Sequence, residues 1–160
     1  MENRVIEFGY SSNLGGVEVF IKNIIMNTSI PIDLVATTQD KIPFEDEFVA
    51  NGSRIFRIPN RRSAPMEYKR NIENILREHP EIKAAHVHLN SCSSIEALEA
   101  AKKVGMQCIA HSHSSNSNFN KLTKTLHTIN KKDLISLPMS DWRAPMRRDI
   151  LFLATAILKS

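Results

Sequence analysis

The chain has 160 residues, 42% of them apolar. That is enough for one domain with a core of its own, since a chain of this size buries about two thirds of its unfolded surface. No run of about 18 uncharged apolar residues and no charged-then-apolar leader follows Met1, which sets aside a membrane span and a signal peptide and points to the cytoplasm. Only Cys92 and Cys108 occur, both in apolar stretches, so buried thiols in a reducing compartment are expected rather than a disulfide framework.

The net charge of +4 is unevenly spread, with Arg54, Arg57, Arg61, Arg62, Lys69 and Arg70 close together. Two readings stand: a solvated face, or a patch for phosphate, an anionic membrane surface or nucleic acid. No RNA-binding aromatic signature or zinc finger accompanies the cluster, so nucleic acid is not expected as a partner.

Arg4 to Gly9 reads as a first strand, followed by the turn Ser11-Ser12-Asn13-Leu14-Gly15-Gly16. A helix is expected from Val17 to Asn27, with Val17, Phe20, Ile21, Ile24 and Ile25 on one face. Ile32 to Thr38 is the second strand, Phe44 to Ala50 a short helix stopped by Asn51-Gly52, and Ser53 to Pro59 the third strand. Met66 to His79 is the clearest amphipathic helix, ended by Pro80. Ala84 to Leu89 and Gln107 to Ala110 are strands around a helix from Ile95 to Val104 that Gly105 closes. Strands alternating with helices imply right-handed βαβ units and a single Rossmann-like α/β fold, a doubly wound, mainly parallel sheet.

Polar residues gather at the expected strand ends, where open α/β sheets bind ligands. Gly15-Gly16 precedes a helix whose N-terminus can face an anion, with Glu18 in its first turn. The spacing of Gly9, Gly15 and Gly16 does not match the dinucleotide fingerprint G-x-G-x-x-G, and a plain β-to-α turn explains the pair as well. The two His-x-His pairs, His86 with His88 and His111 with His113, invite a metal. Buried parallel strands and the lack of an Asp, Glu or Cys as third ligand argue against one. On this reading His86 and His111 pack within the sheet, while His88 and His113 approach strand tips and act as donor or base. Ser91, Cys92 and Ser93 have no nucleophile elbow or orienting partner, which argues against acyl transfer.

Four segments together resemble the N-terminal half of retaining, GT-B-fold, family-4 glycosyltransferases of the bacterial capsular and exopolysaccharide type. They are Gly15 to Asn23, Gly52 to Pro59, Ala85 to Ser91 and Ile109 to Ser114, and the likeness covers residues 1 to 131. The resemblance implies an acceptor-side domain facing a second domain that holds a nucleotide-sugar donor, with no metal or other cofactor. It places Gly15 and Gly16 near the donor phosphates and His113 as the catalytic residue, touching the reacting sugar or stabilising developing charge. Asn90 and Ser114 become cleft polar groups. The acceptor is a sugar or lipid-linked saccharide, and Arg61-Arg62 would face a lipid diphosphate at the inner surface of the plasma membrane.

Residues 132 to 160 form an atypical tail that leaves the family pattern, so the donor-binding half and its paired glutamates are not expected in this chain. Half a cleft cannot hold donor against acceptor, and the isolated chain is expected to be inactive. A non-catalytic sugar- or partner-binding subunit, completed by a separate donor-binding chain, is the alternative. A stand-alone nucleotide-binding regulator fits less well, for want of a phosphate fingerprint. The apolar end Ile150 to Leu158 is too short to span a bilayer, whether it is a membrane-surface segment or sequence never selected to fold.

Read from the third base of each codon, the tail permits Tyr-Ile-Ala-Thr-Asp and, two positions later, Leu-Ala-Cys-Ser-Asp-Ala-Ala-Gly-Tyr-Phe-Ile-Phe-Gly-Asp, a string like the next family strand and helix. A frameshift between Lys131 and Asp133 accounts for it. Sequencing the DNA beyond Ser160 tests this: the shifted frame should stay open and encode a second α/β domain with paired glutamates. A closed frame there favours separate subunits.

Overall fold

In chain order the elements are β1 (Arg4–Phe8), α1 (Gly16–Asn27), β2 (Ile32–Ala36), α2 (Glu45–Ala50), β3 (Ile55–Arg57), α3 (Pro65–Glu78), β4 (Ile82–Leu89), α4 (Glu96–Lys103) and β5 (Gln107–Ser112). This is a computed structural model, and it describes residues 2–89 and 94–113. The strands form one sheet in the order β3-β2-β1-β4-β5, every pair parallel, as the alternation of strand and helix patterns implies. The fold is Rossmann-like α/β.

Burial on both faces explains the near-continuous apolar runs of the central strands. On one face Ile6, Phe8, Val35, Ala85 and Val87 pack under Tyr68, Ile72 and Leu76 of α3 and Leu98 and Ala101 of α4. On the other, Val5, Leu34 and Ala84 pack under Ile21, Ile24 and Ile25 of α1 and Phe48 of α2. The chain runs outward from β1 through β2 to β3, then returns to lay β4 against the other side of β1. The strand order therefore reverses between β1 and β4, which opens a crevice at their carboxyl ends.

Several boundaries differ from the expected ones, β4 starting at Ile82, β2 ending at Ala36 and β3 spanning only Ile55–Arg57, and two others differ for identifiable reasons. The α2 helix starts at Glu45 because Phe44 adopts a left-handed φ of 61° and acts as its N-cap. The β5 strand continues two residues past Ala110, because Val87, His88 and Leu89 pair with Ala110, His111 and Ser112. That long-range ladder outweighs the local polarity of the segment.

The basic cluster read from sequence is largely committed inside the fold. Asp33, its side chain fully enclosed, is bridged by Arg4 and by Arg54, each at 2.6 Å, and Arg54 reaches Glu81 at 2.6 Å. Burial alone would raise the Asp33 carboxyl, but the hydrogen bonds from Arg4 and Arg54 outweigh it and hold the group below its ordinary range. Arg57 pairs with Glu45 and donates to the carbonyls of Thr38 and Asp40, Arg61 pairs with Glu96, and Lys69 with Glu99. Arg62 and Arg70 are exposed. Among the described residues, no helix is long and apolar enough to cross a membrane.

Asp33→Ala leaves two guanidinium groups facing an emptied, enclosed position. Both arginines reach water in part, so the loss is smaller than for a wholly buried pair, and urea unfolding should show a destabilisation of about 3 kcal/mol. An unchanged unfolding midpoint would show that the bridge does not support the sheet.

Candidate functional site

Gly9 ends β1 at the crevice with φ of 95°, and a Cβ there would stand 2.5 Å from the carbonyl oxygen of His88. Only glycine permits this approach of the two backbones. Just inside the crevice, strand alternation puts Glu7 of β1 on the α1 face, together with His86 and His88 of β4. Glu7 lies in register with His86, and His88 with His111 of β5. The backbone N–H of His113 donates to the carbonyl of Leu89 at 3.0 Å, carrying the β4–β5 pairing one step further.

One carboxylate and four imidazoles result. Glu7 and His86 are fully buried and His88 is 7% exposed. Glu7 Oε1 lies 3.1 Å from His86 Nδ1, and Glu7 Oε2 lies 2.8 Å from His88 Nε2. The other nitrogen of His88, Nδ1, is 2.7 Å from His113 Nε2. The His111 and His113 rings stack with centroids 4.4 Å apart, and Phe20 of α1 meets His88, His111 and His113 edge-on.

These contacts settle the tautomers. An ionised carboxylate only accepts, so His88 donates from Nε2 and, being neutral, accepts at Nδ1. His113 then donates from Nε2, and its lone pair sits on Nδ1. Burial, the largest influence on Glu7, pushes its carboxyl up. In the acid range where Glu7 titrates these imidazoles take up protons, and the charge and hydrogen bonds of His86, then those of His88, overcome burial and hold the group at about 2. Burial lowers His88 to about 4 against the pull of Glu7. His113 is also lowered, first by partial burial and then by the neighbouring His111 and His86.

Several expectations need correction. All four imidazoles share one face, and His88 is enclosed almost as fully as His86, so the proposed division between sheet and strand tip fails. The case against a metal assumed no third ligand near each pair, whereas Glu7 and His111 both stand beside His86 and His88. Cys108 is partly buried, and burial raises its thiol to about 11. Glu7 and Phe20 were not read as site residues. The signal for Glu7 is a charge inside Val5-Ile6-Glu7-Phe8, an otherwise apolar run.

Gly15 is the N-cap of α1 in extended backbone. A Cβ on it would lie 3.0 Å from Glu18 Oε2, while Glu18 Oε1 accepts the Ser11 N–H at 3.1 Å. Glu18, 5% exposed, thus brings its own negative charge to this helix end. At Gly16 nothing lies within 4 Å of a Cβ position. Asn90, Cys92, Ser114 and the 132–160 tail lie outside the described residues.

No family model matches the chain. It is 26% identical over 119 residues to the putative glycosyltransferase EpsF of Bacillus subtilis (strain 168), a distant homology covering 71% of this chain and 31% of that protein. The chain thus spans about a third of the length of the curated relative it matches. Among solved structures, leucoanthocyanidin reductase bound to NADPH, from Vitis vinifera, superposes with a TM-score of 0.52 at 15% identity, over 83% of this chain and 44% of that one. MurG of Acinetobacter baumannii also gives 0.52, at 12% identity, over 79% of this chain and 38% of that one. Both likenesses show the fold alone.

The lowered His88 and Glu7 make the fold acid-sensitive in two stages. Each is depressed in the folded state, so each contributes stability that is complete above its unfolded value and lost as pH falls toward its folded one. His88 acts between pH 6.5 and about 4, and Glu7 between pH 4.5 and about 2. Denaturant titrations should show stability falling on the order of 3 kcal/mol between pH 6.5 and 4 through His88. His88→Phe should flatten that limb, and an unchanged slope would remove His88 as its cause.

Proposed function

We propose that the chain is the acceptor-side half of a retaining GT-B glycosyltransferase that builds a bacterial surface polysaccharide, capsular or extracellular. The distant homology to EpsF carries this reading. The cluster at the β1/β4 crevice supports it, because it delivers an oriented histidine to the place where α/β sheets receive ligands. His113 is backed by His88, and His88 by Glu7, so the Nδ1 lone pair is held in a set direction. A neutral imidazole so fixed accepts a hydrogen bond from a sugar hydroxyl and supports positive charge developing at the reacting carbon.

Gly16, the first residue of α1, is the position open to a donor phosphate, since the Glu18 carboxylate occupies the space at Gly15. Asn90 and Ser114 remain cleft polar groups in this proposal. The acceptor is a saccharide or lipid-linked saccharide at the cytoplasmic membrane surface, with exposed Arg62 as the basic contact, since Arg61 is paired with Glu96. The donor nucleotide belongs to a second domain, supplied by the shifted reading frame or by a separate chain.

Transfer of labelled sugar from nucleotide-sugar donors to membrane extracts provides the test. The 160-residue chain alone should give none, and residues 1–131 fused to the C-terminal part of EpsF should give activity. His113→Ala in that fusion should lower kcat by roughly a hundredfold or more. Turnover by the chain alone would contradict the half-cleft reading. A fusion unaffected by His113→Ala would remove that residue from the reaction.

A further inference from the structure

His86 and His88 point from the same face of β4, and the register that sets His88 opposite His111 brings a third imidazole beside them from β5. One ligand nitrogen from each of the three lies within 4.8 Å of the other two. Their ring centroids are 4.2 Å apart for His86 and His88, 5.4 Å for His88 and His111, and 5.6 Å for His86 and His111. Two donors two residues apart on one strand, with a third directly across on the next, are held by the sheet rather than by loops. The geometry points to a binding site for a divalent transition-metal ion of the zinc class, with His86, His88 and His111 as ligands.

The hydrogen bonds already present suit that role. Glu7 takes the Nδ1 proton of His86 and the Nε2 proton of His88, which puts the lone pairs on His86 Nε2 and His88 Nδ1. A carboxylate behind a metal-bound imidazole fixes ring orientation and strengthens the ligand, and here one carboxylate serves two rings. Three imidazoles favour zinc, copper or nickel over magnesium or calcium, which prefer oxygen. With zinc–nitrogen bonds of about 2.1 Å, ligand nitrogens in a tetrahedral set lie about 3.4 Å apart. One nitrogen of each ring already lies within 4.8 Å of the other two, so the site closes by side-chain rotation that brings the lone-pair nitrogens to that tetrahedral spacing.

The metal takes the His88 Nδ1 lone pair that otherwise accepts the His113 proton. Metal binding and the Glu7–His88–His113 alignment are thus mutually exclusive, and binding releases His113 toward the open fourth position. The site does not depend on the sugar-transfer reading, since it needs only the described strands.

The test is titration of the chelator-stripped full chain with ZnCl2, followed by calorimetry and by competition with a chromophoric chelator. One equivalent should bind with a Kd in the micromolar range or tighter. His111→Gln should weaken binding at least about tenfold, and His79→Gln, outside the cluster, should leave it unchanged. Co2+ should give the visible bands of a four-coordinate site without sulfur-to-metal charge transfer. His111 is only partly buried, so its variant retains a folded reference, which circular dichroism checks. Absence of binding, binding indifferent to His111→Gln, or a cysteine charge-transfer band would each overturn the proposal.

Discussion

A charge with no access to water has to find its partners inside the protein, and Glu7 meets that condition at the centre of the sheet. Its neighbour β4 supplies two imidazoles as donors, and they reach it only in the observed β1–β4 register. A slip of one residue would turn His86 and His88 to the opposite face and leave the carboxylate unpaired. Gly9 lets the two strands stay this close at their ends. The direction of the His113 ring therefore traces back to a carboxylate on another strand, two side chains away.

A second buried carboxylate stands toward the other end of the same strands. Asp33 gathers Arg4 and Arg54, and through Arg54 it joins β2, the entry to β3 and the turn before β4. The two sites use opposite chemistry. Guanidinium groups are always charged, so the Asp33 bridge persists across ordinary pH, whereas His88, lowered to about 4, is neutral there and gains its proton only in acid. One end of the sheet is a fixed clamp, and the other is chemically adjustable, which is where a ligand site belongs.

The sheet class and element order were legible because strand and helix periods alternate cleanly. Helix α3 shows this well, with Tyr68, Ile72 and Leu76 recurring at helical spacing. The end of β5 was not legible, because its continuation depends on Leu89 and its neighbours, some twenty residues away in sequence. The histidine pairs stood out at once, but their shared face and common carboxylate did not. Those depend on cross-strand register, which a single sequence does not display. The basic segment left two readings open for the same reason: the acidic partners that neutralise most of it, Asp33, Glu45, Glu81, Glu96 and Glu99, are scattered along the chain.

The central place of β1 has a consequence for how the chain is made. Its pairing with β2 is nearly local, but its other edge is covered only when the segment around Ile82 arrives. During synthesis, β1 therefore carries an open edge and an unpaired Glu7 until the segment around Ile82 has followed. Loop-closure entropy makes such distant parallel pairing slow. An uncompensated carboxylate in an otherwise sticky strand discourages premature association with other chains. The same side chain that later organises the histidines thus guards the nascent sheet.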